Sequence, residues 1–158
     1  MPNISQLLVE ETDGACAYCG IKDFRVLTEH HIVQTNPKDQ SYDNRIILCH
    51  NCHHLYHQNK GPSKEDIEKI KKRLISKTLT QQGINIIKES SRKGGVVAAP
   101  HLVNHLVELG YIQLTQVLST VGHDENDEDD DLGNSIISDA VYELTEDGKM
   151  FAQKWGFT

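Results

Sequence analysis

The chain has 158 residues, 37% of them hydrophobic, and a net charge of −7. That length suits one ordinary domain or two small ones, and the modest apolar content suggests a core that needs a staple such as a metal. Apolar runs are only a few residues long, which excludes a membrane-spanning helix, and without a leader-like start a soluble protein of a reducing compartment is expected. The negative charge is local. Seven of the 23 acids lie in the run 124–131, and the remaining acids balance the 16 bases.

The first dozen residues form a short lead-in with a weakly apolar Leu7-Leu8-Val9. Cys16-Ala17-Tyr18-Cys19 follows, then a short apolar strand carrying Phe24, Val26 and Leu27, the pair His30-His31, and a turn at Asn36-Pro37-Lys38-Asp39. Ile46-Ile47-Leu48 leads into Cys49-His50-Asn51-Cys52, and residues 53–58 should open a helix that Gly61-Pro62 breaks. Ser63 and Asp66 form a capping pattern for a new helix with Ile67, Ile70 and Leu74 on one face. Its other face is expected to carry the basic residues among Lys60, Lys64, Lys69, Lys71, Lys72, Arg73 and Lys77.

Thr80 can cap a helix running to about Lys93, ended by Gly94-Gly95. Pro100 begins another that Gly110 closes. Strands are expected at 111–118 and 136–144, with the acidic run in the loop between them, and Thr145 caps a last helix bearing Met150, Phe151 and Trp155. The acidic run lacks the glycine register of a calcium-binding loop, so a solvated loop is expected.

The four cysteines fall in two Cys-x2-Cys pairs. That spacing lets a tight turn aim two thiolates at one ion, so Cys16, Cys19, Cys49 and Cys52 are expected to hold a structural zinc. The histidines between 30 and 57 then serve something else. His53 and His57 are four apart on a presumed helix and share a face. With His30 they could hold a second ion and leave coordination positions open, as a catalytic site requires.

The segment Glu29-His30-His31-Ile32, then Asn44, then Cys49-x2-Cys52-His53-x3-His57 resembles the HNH endonucleases, whose core is a hairpin and a helix around one metal ion. The resemblance implies hydrolysis of DNA phosphodiester bonds to 5′-phosphate and 3′-hydroxyl ends. It makes His31 the general base, and His30, His53 and His57 the catalytic-metal ligands, with His54 the neighbouring alternative to His53. Asn44 would hold the hairpin loop and orient the base. The ion could be Mg²⁺, Mn²⁺, Ni²⁺ or Zn²⁺, with imidazole donors leaning toward transition metals. Arg45, Lys64, Lys69, Lys72 and Arg73 are candidate phosphate contacts on duplex DNA. The rival reading is a zinc-stabilised DNA-binding or regulatory module without catalysis.

The expected fold is α+β in three parts. Residues 1–60 form a ββα-metal HNH module stapled by the four-cysteine site, residues 61–78 a basic linker helix, and residues 79–158 a small domain resembling a winged helix with an acidic loop at 123–134. That domain's presumed recognition helix offers His101, Asn104, His105 and Glu108 but no Arg or Lys. Groove reading leans on Arg and Lys, so a protein partner or a homodimer contact is favoured there. No membrane partner is expected, and a cytoplasmic protein of bacterial or phage origin fits these features.

Overall fold

The computed structural model describes residues 3–121 and 136–158, so the acidic run 124–131 lies outside the described residues. The chain divides into two compact units, Met1–Thr80 and Gln81–Thr158.

The first unit opens with helix α1 (Ile4–Glu11), where the sequence suggests only a lead-in. Asn3 caps it by accepting a hydrogen bond from Gln6 N, and Leu8 is fully buried. Strands β1 (Leu27–His31) and β2 (Arg45–Cys49) pair antiparallel, with Leu27 opposite Cys49 and His31 opposite Arg45. Residues 24–26 do not join the strand. They form a 3-10 turn capped by Asp23, and Phe24 is exposed. Pairing with the wholly buried β2 explains the shift, because it draws the two histidines into the ladder. Successive strand residues face opposite sides, so His30 and His31 point apart.

Helix α2 (His50–His57) follows β2 directly, with Cys49 as its N-cap. Cys16, Ile32, Ile46, Leu48, Cys49, Cys52 and Ile67 make one core cluster around the hairpin and helix. Helix α3 (Lys64–Lys93) starts with the expected capping box: Asp66 N donates to Ser63 Oγ, and Ser63 N donates to Asp66 Oδ2. Thr80, at φ 60° and ψ 165°, interrupts α3 where the two units divide.

Lys71 corrects the expected basic face. It is fully buried, in line with Ile67, Ile75 and Leu79, and its ammonium bonds Glu11 at 2.8 Å. Tyr42 donates its hydroxyl hydrogen to the same carboxylate, and the Lys71 ammonium sits 3.7 Å from the Tyr42 ring centroid. Burial pushes Lys71 down to about 8, with Glu11 pulling the other way. Removing one partner of such a pair strands a buried charge, at a cost of about 3–5 kcal/mol.

In the second unit, β4 (Ile112–Val121) and β5 (Ile136–Leu144) pair antiparallel, and the short strand β3 (Val96–Ala98) joins the other edge of β5. The sequence suggests only a two-stranded hairpin. Three residues following a glycine pair carry too little pattern to reveal β3. Helices α4 (Pro100–Glu108) and α5 (Glu146–Trp155) complete the unit, with Tyr111 stacked on Phe151 at 4.1 Å. Thr145 Oγ1 caps α5 by accepting from Gly148 N. A Cβ at Gly148 would meet the Tyr111 carbonyl oxygen at 1.9 Å, so only glycine fits this joint. On α4, His101, Asn104 and Glu108 are exposed and His105 is half-buried.

Candidate metal centres and hydrolytic site

The two Cys-x2-Cys turns come together because β1 and β2 pair. One turn precedes β1, and the other bridges β2 and α2. The four sulfurs lie within 4.8 Å of one another, and Cys19 Sγ and Cys49 Sγ are 3.7 Å apart. Tetrahedral thiolates at the usual zinc–sulfur distance of ~2.3 Å sit ~3.8 Å apart, so the cluster fits one zinc. A disulfide does not fit, and all four cysteines are free.

The thiol chemistry agrees. Burial raises Cys16, but backbone N–H donors of Cys19, Cys49 and Tyr18 outweigh it and bring the thiol down to about 7. Burial and neighbouring thiols push Cys52 well up. Four adjacent sulfurs therefore resist becoming thiolates together unless a cation compensates.

The histidine group uses the other side of α2. His53 and His57, on successive turns, meet His30 from β1, and their ligand nitrogens lie within 4.8 Å of one another. His30 is 1% exposed, and among the described residues neither of its ring nitrogens has a hydrogen-bond partner. A buried imidazole with two unpaired nitrogens is costly unless something binds there. The His53 ring lies edge-on at 4.8 Å, Tyr56 at 4.5 Å and His57 at 5.5 Å. Burial, then the charges of His53, His57 and His31, push His30 down to about 4, leaving it neutral with a lone pair available. His53 is lowered too, first by burial and then by His57 and His50.

His54 stands apart from this group. It is exposed, and its Nε2 lies 2.8 Å from Gln58 Nε2. His50 is also exposed.

His31, at the end of β1, is half-buried, and its Nε2 is enclosed without a partner among the described residues. Asn44 is fully buried. Its Oδ1 accepts from Val33 N at 2.8 Å, and its Nδ2 donates to Val33 O and Asp39 O at 3.0 and 3.2 Å. Ile32 N donates to Asn44 O as well. The amide thus pins the loop leaving His31, and among the described residues it makes no bond to the imidazole itself.

The candidate phosphate contacts separate into two settings. Lys69, Lys72 and Arg73 line an open groove with Ser76 on α3, and Lys64 is exposed beside Glu68 at 3.7 Å. Arg45 is buried. Its Nη1 bonds Glu29 at 2.7 Å, and its Nε is enclosed without a partner among the described residues. Sequence reading misses the polar group of Glu11, Tyr42 and Lys71, whose members are separated by tens of residues, and the Tyr56 ring against His30.

Residues 16–59, less than a third of the chain, match a family model described as HNH endonuclease, and the match points to a nuclease or nucleic-acid function. No curated protein and no solved structure matches the chain. The matched span holds the four-cysteine cluster, the histidine group and Asn44.

Proposed function

We propose that the chain is a metal-dependent endonuclease of the HNH type that hydrolyses DNA phosphodiester bonds to 5′-phosphate and 3′-hydroxyl ends. The observation that supports this best is the buried, doubly unpaired His30 facing His53 and His57, next in sequence to a candidate base.

His30, His53 and His57 would hold one divalent ion, Mg²⁺, Mn²⁺, Ni²⁺ or Zn²⁺, and their imidazole donors favour the transition metals. When bound, such an ion relieves charge on the phosphoryl oxygens and stabilises the leaving oxygen. His31 takes the proton from the attacking water. Its Nε2 is enclosed, so Nδ1 is the nitrogen left for that work. Asn44 holds the loop after His31 and so fixes where the strand ends. Cys16, Cys19, Cys49 and Cys52 hold a structural zinc that replaces a larger core. Lys64, Lys69, Lys72 and Arg73 offer cations to the DNA backbone. The second unit is read as winged-helix-like, and its Arg- and Lys-free α4 suits a protein partner or a second copy better than a groove.

Incubating the protein with supercoiled plasmid under a panel of divalent ions tests the reading. Nicked or linear product that a His31→Ala control fails to give is expected. DNA binding with no cleavage under any ion would leave the non-catalytic module as the reading.

A further inference from the structure

The first cysteine turn presents apolar side chains that neither metal site uses. Phe24 is 82% exposed, Tyr18 47% and Ile21 46%. Scattered exposed apolar residues are ordinary. Here three fall within seven residues, two of them aromatic, while their neighbours Val26 and Leu27 pack on the core.

The segment is also held stiffly. Cys16 N donates to Ile21 O and Gly20 N to Cys16 O, both at 2.9 Å, and Gly20 takes the left-handed conformation this tight turn needs. Asp23 Oδ1 accepts from Arg25 N at 3.1 Å, and its carboxylate takes two further bonds from the Arg25 guanidinium, locking the turn that begins at Phe24. A side chain carried on a fixed backbone has less freedom to lose when it meets a partner.

Charge indicates what that partner is. Lys22 is exposed between Ile21 and Asp23, and Asp23 is already neutralised by Arg25. Asp13, the carboxylate that feels the charge of Lys22, is itself bonded to Lys77 at 2.9 Å, so the segment offers exposed rings beside an exposed cation. Nucleobases with their phosphates match that combination, by stacking on the rings and pairing with the ammonium.

We propose that Tyr18, Ile21 and Phe24, displayed by the first zinc-binding turn beside Lys22, form a stacking surface for unpaired bases of DNA. It rests on the nuclease reading for the class of partner and adds a preference within it, for DNA with locally open pairing over uniform duplex.

The test uses the full chain carrying His31→Ala, so that DNA survives the measurement. Binding is followed by fluorescence anisotropy to a short uniform duplex and to the same duplex with a central unpaired loop containing 2-aminopurine. The parent should prefer the looped DNA and quench the probe. Phe24→Ala and Tyr18→Ala should each weaken looped-DNA binding on the order of 5- to 100-fold, the worth of one base–aromatic stack, and lose the quenching. Their binding to uniform duplex, their salt dependence and their melting temperature should stay as in the parent, and Phe24→Trp should restore looped-DNA binding.

Unchanged binding in both alanine variants overturns the proposal. So does equal weakening on the two DNAs, which indicates a groove contact. A concentration-dependent dimer that Phe24→Ala abolishes overturns it in favour of a second copy. If the parent binds neither DNA, the nuclease reading falls with it. If parent protein with His31 intact cuts plasmid while the Phe24 and Tyr18 variants bind normally, only the stacking surface is lost.

Discussion

The cysteine cluster and the histidine cluster are built from the same hairpin and the same short helix, yet they are finished differently. Three of the four sulfurs are buried, and Cys16, Cys49 and Cys52 belong to the apolar core cluster itself. The imidazoles instead grade outward, from buried His30 through half-buried His53 to exposed His57. A closed set of four thiolates satisfies an ion completely and holds chain segments together. A set of three that opens toward solvent leaves an ion positions to fill. One short helix can thus contribute to two candidate ligand sets, a thiol from Cys52 to one and imidazoles from His53 and His57 to the other.

The largest expected effect breaks the closed side of this comparison. Cys49→Ser removes a candidate zinc ligand while keeping a side chain able to cap α2, and the first unit should still lose its cooperative unfolding transition and about one equivalent of tightly held zinc, measured by circular dichroism and elemental analysis. Retained folding with zinc absent would show that the cysteines do not staple this unit.

On the open side, His31→Ala should slow DNA cleavage by roughly 10²–10⁴ while the protein still binds its divalent ion, read from single-turnover kinetics and calorimetric titration. A parallel loss of ion binding would move His31 into the ligand set. His57→Ala should act the other way round. It should weaken ion affinity by no less than the ~10–100-fold typical of losing a supporting neighbour, with cleavage recovering as ion is added in excess. His54→Ala, the adjacent exposed imidazole, serves as the control expected to change neither.

The smallest effect concerns substrate grip. Replacing Lys69, Lys72 and Arg73 with Gln should leave melting unchanged and flatten the log–log salt dependence of duplex binding by about one unit for each phosphate no longer neutralised. An unchanged slope would remove the α3 groove from the DNA path.

Both candidate metal-ligand groups have local marks in the sequence for a physical reason. Cys-x2-Cys and His-x3-His are local geometries, set by one turn or by one helical repeat, so spacing brings the members of each pair together, while the pairing of β1 with β2 joins the two cysteine pairs. His53 is separated from His54 only by the direction in which α2 faces β1, which depends on packing. Lys71 reads wrongly as a surface cation because the residue that makes its burial tolerable, Glu11, lies sixty positions away and carries no local mark. Phe24 reads as a strand residue on its hydrophobicity, whereas backbone pairing with β2 begins three residues later at Leu27.

The buried ion pair between α1 and α3 bears on how this protein can be trimmed. Similarity to a known family begins at residue 16, downstream of Glu11. A chain cut back to that point would keep every cysteine and histidine yet leave the Lys71 ammonium enclosed with its counter-charge removed, and would strip the Tyr42 hydroxyl of its acceptor just ahead of Asn44. The sensible start for a minimal fragment is therefore set by charge balance in the interior, several residues before recognisable sequence begins.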